Sequence, residues 1–383
     1  MKFEKTIITS YQKGLHLYHI VAEGTNEDIG YELGCLAKDG HNIDKSASIE
    51  SSIIEGQYDY LKHRYPEHYA RMSGFAKAYG KFLSDYNYDF SFFGHAQNGT
   101  ACSAVYYPPA ITSTRRGYIS RNLDFSIPKD FKHEKPIFPF KHTYILEMYP
   151  DSCYSSISLF CFEVFGLALE GINSEGLSVI HLADADTRID HESLSTKQTK
   201  RGFNEFLPIQ CLLDTCSTAD EALEALEQME HYHVAIPVHL LIADKQGNSF
   251  VFEYSPDGSK KVLIQGSTTS PLKVTNFQLN RLSDPIMTKK MESRSTENGL
   301  DRYRVLEKRI DQTHFPITEK LIQEINTAVY VYADSEDKLE RTLFHCIYDT
   351  SSCSVKICLY PKIKQSMGGF CRFSLRRKIS SSN

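Results

Sequence analysis

The sequence predicts an α+β fold, in which strands and helices form separate blocks along the chain. A strand pair opens the chain, and a mainly helical stretch follows over residues 23–95. From residue 102 onward, short runs rich in β-branched and aromatic residues predict strands. Helices and strands then follow in further blocks. This order differs from the strand–helix alternation that is typical of a parallel α/β sheet.

The opening segment predicts two strands and the start of a helix. Thr6–Thr9 and Leu15–Val21 are predicted to form a strand pair. A helix is expected to begin within Thr25–Asp28, where Thr or Asn can cap it and the acidic residues favour its N-terminal dipole. Gly30 and Gly34 lie four residues apart on this helix, so we expect another element to approach it closely at that face.

Two further helices and a loop are expected before residue 102. Helical periodicity runs from Ile43 to Arg64, and Pro66 begins the next helix because proline suits a first turn. The stretch Gly94–Ala101 is composed of small and polar residues and predicts a loop.

The rest of the chain predicts mainly strands, with helices at three places. Strands are expected at Cys102–Tyr107, Gly117–Leu123, His142–Met148, Ser155–Phe162, Ala168–Ile172, Gly176–Leu182, Val238–Asp244, Ser249–Tyr254, Val274–Asn276, Arg341–Asp349 and Ser354–Leu359. Helices are expected over 203–228, with a capping box at Thr218–Glu221, and over 301–311 and 317–330.

Composition excludes several classes of protein. The 383 residues are enough for a large core and roughly two domains. The net charge of −5 argues against a general nucleic-acid binder, and the basic cluster Arg372–Lys378 predicts a solvated tail. No apolar core follows Met1–Lys5 as in a signal peptide. The longest apolar run, 157–169, is too short to span a bilayer, so no membrane association is expected.

The ten cysteines show no C-x-x-C pair and no matching histidine pattern. Structural zinc and a disulfide framework are therefore not expected, and a reducing, cytoplasmic compartment fits better. Most of these thiols are expected to be small core residues. No metal ion and no cofactor is predicted.

Cys102 is the exception, because of what surrounds it in sequence. It opens a predicted strand, and the next strand carries Arg121 and Asp124, which could fold back beside it. A thiol needs a base to become a nucleophile. If the bond after Ala101 is cut, the new α-amine of Cys102 is that base, with a reference pKa of about 7.7–8.0. The pattern predicts the precursor of an N-terminal-nucleophile amidase.

Several motifs resemble one known family along almost the whole chain. The sequence resembles the linear-amide C–N hydrolases, which include choloylglycine hydrolases and penicillin V acylases. It is nearer to the branch of the acyl-coenzyme A:6-aminopenicillanic acid acyltransferase. The motifs that carry the resemblance are Asp28–Gly34, Arg64–Tyr69, Arg121–Phe125, Gly171–Leu177, Val274–Asn276, Thr342–Phe344 and Ile347–Asp349.

The resemblance implies a four-layer αββα sandwich over 102–383 and a mainly helical pro-segment over 1–101, which is cleaved and retained. Asp124 would orient the free α-amine, and Arg121 would lie near the thiol. Asn276 would help to form the oxyanion hole, and Arg302 would order the site. From the residues alone, Arg121–Asp124 also fits a surface ion pair, Asn276 a turn residue and Arg302 a solvated helix residue.

Two positions depart from the family pattern. Ala101 stands where glycine often precedes the nucleophile, and Ala183 stands where the bile-salt hydrolases have an oxyanion asparagine. Ala183 could offer only a backbone N–H. His181, with Asp184, Asp186 and His191 beyond it, predicts a strand-end loop near the pocket rather than a metal site.

The predicted function is cleavage of a linear, non-peptide N-acyl amide through an acyl-thioester on Cys102. The expected partners are this small molecule and the chain's own pro-segment, and a homo-oligomer is left open. Two alternatives remain: an acyltransferase that uses an amine acceptor, and an unprocessed, inactive binding protein.

Overall fold

A computed structural model describes residues 1–11, 15–38, 50–91, 100–126, 142–160, 168–184, 202–231, 238–255, 260–283, 299–331, 340–359 and 369–376. Within these ranges the chain forms a nine-stranded and a six-stranded sheet, with helices outside both. None of the described helices is both long enough and apolar enough to cross a membrane.

The described residues form fifteen strands and seven α-helices, numbered in chain order. The strands are β1 (Lys2–Tyr11), β2 (Leu15–Gly24), β3 (Thr100–Tyr107), β4 (Tyr118–Ser126), β5 (His142–Pro150), β6 (Ser156–Phe160), β7 (Glu170–Asn173), β8 (Ser178–Ala183), β9 (Val238–Ala243), β10 (Ser249–Tyr254), β11 (Lys261–Gln265), β12 (Leu272–Val274), β13 (Glu340–Asp349), β14 (Ser354–Leu359) and β15 (Cys371–Ser374). The helices are α1 (Asn26–Lys38), α2 (Ser51–Arg64), α3 (Pro66–Ala78), α4 (Leu207–Thr215), α5 (Ala219–Gln228), α6 (Gly299–Asp311) and α7 (Glu319–Thr327).

The larger sheet has the order β1-β2-β5-β6-β7-β8-β9-β10-β11. Its pairs are antiparallel except β2 with β5, which run parallel from His16↔His142 to Gly24↔Pro150. The N-terminal segment therefore contributes two strands to the main sheet.

The smaller sheet has the order β12-β3-β4-β13-β14-β15 and is antiparallel throughout. β3, which carries Cys102, lies between β12 and β4. This position brings the residues after β12 and the whole of β4 next to the predicted nucleophile.

Three apolar clusters fill the spaces between four layers. One packs α1 to α5 against the outer face of the larger sheet. The second lies between the two sheets and includes Cys102, Leu123 and Ile180. The third packs α6 and α7 against the outer face of the smaller sheet. This helix–sheet–sheet–helix order confirms the predicted αββα sandwich.

The close approach expected at Gly30 and Gly34 is confirmed. An added Cβ at Gly30 would lie 1.8 Å from the carbonyl oxygen of Arg71, and one at Gly34 would lie 2.7 Å from the Cβ of Ala78. Gly74 on α3 faces α1 in the same way, at 1.9 Å from the carbonyl oxygen of Glu27. Glycines on both helices therefore let the backbones of α1 and α3 touch.

Several predicted boundaries were wrong. The helical block at 203–228 is two helices, separated at Cys216–Thr218, where Thr218 accepts the N–H of Glu221 as the predicted cap. Thr100 and Ala101 belong to β3 rather than to a loop, since Phe125 and Asp124 on β4 continue the pairing past Cys102. Residues 92–99 lie outside the described residues, as do 39–49 of the helix expected from Ile43.

The expected solvated tail was also wrong in part. Cys371–Ser374 form edge strand β15, and Phe373 packs between the sheets, because β14 offers an unpaired edge to these residues. The sequence analysis missed this strand and the exposed edge strand β11.

Candidate active site

Adjacent strands bring Cys102 and Arg121 together on the face between the sheets. Cys102 pairs with Leu123 in register, and Ala104 pairs with Arg121, so the thiol and the guanidinium are diagonal neighbours. Cys102 is 1% exposed and packs within the apolar cluster between the sheets. Asp124 follows Leu123 on β4, so its side chain lies on the other face of the sheet, where it contacts Arg302 of α6.

Two donors converge on the sulfur of Cys102. Arg121 Nη2 lies 3.4 Å from Sγ, and the backbone N–H of Ala183 faces the sulfur and acts to lower the pKa of the thiol. Burial raises the pKa of the Cys102 thiol, while Arg121 opposes that rise. The thiol is therefore mainly protonated near neutral pH and needs a base to act as a nucleophile.

Arg121 is itself held by a carboxylate. Its Nε lies 2.7 Å from Glu170 Oε2 on β7 of the opposite sheet, and both side chains are fully buried. Tyr348 donates its hydroxyl to Glu170 Oε1 at 2.8 Å. Arg121 Nη2 also donates to the carbonyl oxygen of His181 at 3.2 Å. The guanidinium thus joins the two sheets and has a fixed position beside Sγ.

Asn276 holds the backbone nitrogen of Cys102, the predicted nucleophile. Its Oδ1 accepts the backbone N–H of Cys102 at 2.6 Å, and its Nδ2 donates to the carbonyl oxygen of Ala183 at 2.7 Å. Arg302 Nη2 donates to the same Oδ1 at 2.7 Å. This carboxamide therefore connects Cys102, Ala183 and Arg302.

Asp124 lies one step further from the thiol. Its Oδ2 accepts from Arg302 Nη1 at 2.9 Å, and its Oδ1 accepts from Thr342 Oγ1 at 2.5 Å. Arg302 thus bridges Asp124 and Asn276. The five residues predicted as catalytic lie in one connected network, and Ala183 offers the backbone N–H that its position suggested.

Asn276 and Asp124 have different partners in the uncleaved chain. The side chain of Asn276 contacts the nitrogen of Cys102, and Asp124 accepts hydrogen bonds from Arg302 and Thr342. Asn276 therefore combines an acceptor for that nitrogen with a donor group. The geometry makes Asp124 the partner that fixes Arg302.

His181 contributes its backbone and an apolar contact. Its ring lies 5.7 Å from the ring of Phe206, and its carbonyl accepts from Arg121. Burial, with Arg121 and His239, lowers the pKa of His181 to about 3, so the imidazole is neutral at physiological pH. Asp186 and His191 lie outside the described residues.

The sequence analysis missed Glu170 and Thr342 as parts of this site. Glu170 is the one charged residue in the run Leu167–Ile172. A charged residue within an apolar strand is rarely buried without a partner, so this residue could have been singled out from the sequence. Thr342 gave no such signal, because its register opposite Asp124 depends on a β-bulge before Phe344.

Comparison with sequence profiles of known families gives a match over much of the chain. The sequence profile of the family described as "Acyl-coenzyme A:6-aminopenicillanic acid acyl-transferase" matches residues 113–363, about two thirds of the chain. The chain belongs to this family. The match includes Arg121, Asp124, Asn276 and Arg302, and it begins after Cys102. The predicted resemblance to the acyltransferase branch is confirmed.

Structural comparisons find distant similarity. The penicillin V acylase from Agrobacterium tumefaciens is 17% identical, covers 68% of this chain and 84% of its own, and has a TM-score of 0.44. A mutant conjugated bile acid hydrolase from Clostridium perfringens is 13% identical, covers 71% and 92%, and has a TM-score of 0.47. A Caenorhabditis elegans N-acylethanolamine-hydrolyzing acid amidase ortholog is 17% identical, covers 65% and 93%, and has a TM-score of 0.43. No curated protein sequence matches the chain.

Proposed function

We propose that this protein is a cysteine N-terminal-nucleophile amidohydrolase that cleaves a linear, non-peptide N-acyl amide through an acyl-thioester on Cys102. One observation carries the proposal: the same carboxamide, Asn276, holds the backbone nitrogen of Cys102 and joins it to Ala183, whose N–H contacts the sulfur. A nitrogen and a thiol on one residue are thereby held in a fixed relation.

Activation requires cleavage of the bond between Ala101 and Cys102. A peptide nitrogen is not basic, so the intact chain has no base on this residue, whereas a free α-amine titrates near pH 8. Attack of Sγ on the Ala101 carbonyl would shift the acyl group from nitrogen to sulfur while the thiol proton passes to the leaving nitrogen, and water would then hydrolyse the thioester. The products are residues 1–101 and a chain that begins with Cys102.

Turnover then follows the same chemistry with an external amide. The α-amine takes the thiol proton, Sγ attacks the amide carbon, and the amine product leaves with that proton. Water, deprotonated by the same α-amine, releases the acid. Asn276 Nδ2 donates one hydrogen to Ala183 and has a second for the oxyanion, a kind of contact whose loss typically costs about 10²–10³ in rate.

The N-terminal segment is expected to stay bound after cleavage. β2 pairs with β5 along nine residues, and Arg71 of α3 contacts Asp214 of α4 at 2.9 Å in a buried ion pair. Residues of α1 to α3 also form much of the outer apolar cluster. Separation of residues 1–101 would expose this cluster, which is strongly unfavourable.

Acyl transfer to an amine is the second candidate, because the family that the chain belongs to is described as an acyl-transferase family. The two reactions share the thioester and differ in whether water or an amine attacks it. Added amine acceptors separate them: an N-acylated acceptor indicates transfer, and free acid alone indicates hydrolysis.

The test compares the wild-type chain with Cys102→Ala and with Cys211→Ala, which removes a buried thiol in the outer cluster. Intact mass and N-terminal sequencing should show a fragment that begins at Cys102 for wild type and Cys211→Ala only. Release of amine from a panel of N-acyl amides should follow the same pattern. A wild-type chain that remains full-length and inactive after prolonged incubation would instead support the unprocessed binding protein.

A further inference from the structure

A second buried cluster lies directly behind the residues that hold Cys102. His239 on β9 faces the space between the sheets and has carboxylates on both sides. Its Nδ1 lies 3.1 Å from Glu253 Oε2, and its Nε2 lies 3.8 Å from Asp184 Oδ1. All three side chains are 2% exposed or less. Both distances lie within the range of an ion-pair contact.

The two carboxylates connect to two parts of the active site. Asp184 follows Ala183, whose N–H contacts the thiol and whose carbonyl accepts from Asn276. Asp184 Oδ2 accepts from Gln278 Nε2 at 3.2 Å. The end of β8 is thereby joined to the segment that carries Asn276.

Glu253 holds the same segment further along the chain. Its two oxygens accept the backbone N–H groups of Leu279 and Asn280, both at 3.1 Å. Gln278 Nε2 also donates to the carbonyl oxygen of Tyr254 at 2.7 Å. Residues 276–280 therefore rest on β10 through Glu253 and Tyr254, and on the end of β8 through Asp184.

We propose that His239 is a positioning residue for the nucleophile: set between Glu253 and Asp184, it keeps Ala183 and Asn276 in register around Cys102. Two buried carboxylates that face each other would repel, and an imidazole between them separates their charges and, when protonated, attracts both. Register matters because a displacement of about 1 Å at a reacting group can cost about 10²-fold in rate.

The inference rests on the proposed function only for its kinetic readout, so the experiment has a second readout that needs no substrate. Hydrogen exchange of backbone amides, followed by mass spectrometry, is compared for wild type, His239→Gln and His239→Leu. The matched control is His345→Gln. His345 is also fully buried, and it contacts Ser120 Oγ at 2.7 Å on the outer face of the smaller sheet.

His239→Gln should accelerate exchange at residues 276–280 and at Ala183, and His345→Gln should not. With a substrate in hand, His239→Gln should lower kcat at least about tenfold while KM changes less than about twofold, because His239 does not touch the substrate. His239→Leu, which has no hydrogen-bond donor, should accelerate exchange more and lower kcat further than His239→Gln.

Unchanged exchange at 276–280 in a folded His239→Gln protein would overturn the proposal, and so would an equal effect of the control. If His239→Leu does not fold, Glu253→Gln replaces it, and the same local acceleration is required. A wild-type chain without amidase activity would contradict the proposed function but would leave the exchange result valid.

Discussion

The carboxamide oxygen of Asn276 accepts the backbone N–H of Cys102 at 2.6 Å, so the nitrogen that cleavage would free already has a fixed acceptor. The same oxygen also accepts from Arg302, which connects it to Asp124. The site holds the backbone of Cys102 in position and does not lower the pKa of its thiol.

Asn276→Ala should lower kcat by at least about 10²-fold, because it removes both the acceptor for the Cys102 nitrogen and one oxyanion donor. Single-turnover acylation of the processed protein measures this loss directly. Asn276→Asp should be intermediate, since it keeps the acceptor and loses the donor. Equal rates for the two variants would mean that the donor alone matters.

Asp124→Asn should abolish turnover while largely preserving the fold. The change removes the carboxylate charge that faces Arg302 at 2.9 Å in a buried part of the protein. Thr342→Val, which removes only the hydrogen bond to Asp124 Oδ1, is the milder companion variant. Steady-state kinetics on correctly processed protein, with circular dichroism as the fold control, tests both. Near-normal turnover of Asp124→Asn would make Asp124 purely structural.

Glu170→Gln should lower both stability and kcat, because it breaks the buried ion pair that holds Arg121 beside the sulfur. Breaking such a pair costs about 3–5 kcal/mol. The matched control is Glu27→Gln, which breaks the exposed Lys77–Glu27 pair at 2.7 Å and should cost far less, because exposed ion pairs contribute little to stability. Urea unfolding measures both. A Glu170→Gln protein as stable as the control would contradict a structural role for the buried pair.

Stability should fall as the pH is lowered below about 6.5, the pKa of an unfolded histidine. Burial lowers the pKa of His181 and of His345 to about 3, and it also lowers that of His68. The folded protein therefore binds fewer protons than the unfolded protein between these pH values. Each group then removes up to about 1.4 kcal/mol per pH unit as pH falls.

Urea unfolding at pH 7.5, 6.5 and 5.5 measures this slope. His345→Gln should reduce it, and the exposed His63→Gln should leave it unchanged. A slope that is the same in His345→Gln as in wild type would show that other groups control the acid sensitivity.

Gly30→Ala should destabilise the packing of α1 against α3, because the new Cβ would lie 1.8 Å from the Arg71 carbonyl oxygen. Overpacking of this kind typically costs about 1–3 kcal/mol. Gly369→Ala is the control, since its Cβ would meet only ordinary contact, at 3.5 Å from Cys358 Sγ. Thermal unfolding compares the two, and equal midpoints would argue against close backbone packing.

The sequence by itself determined much of the fold class and pointed to the candidate site residues. Apolar periodicity predicted most strands and helices, and the glycine spacing at Gly30 and Gly34 predicted a close helix contact that the structure confirms. Cys102, Arg121, Asp124, Asn276 and Arg302 were all named from the sequence and its resemblance, and the structure joins them into one network. These features depend on residue type and local spacing, which a single sequence carries.

Only the tertiary structure decided which atoms meet. The pairing of β2 with β5, the ion pair between Arg121 and Glu170, and the contact of Asn276 with the Cys102 nitrogen join residues far apart in the chain. The boundary of β3 before Cys102 likewise depends on pairing with β4. Register and the packing of one sheet on another set these contacts. Neither leaves a local pattern in the sequence, so the contacts of Asn276, Glu170 and His239 emerge only from the folded chain.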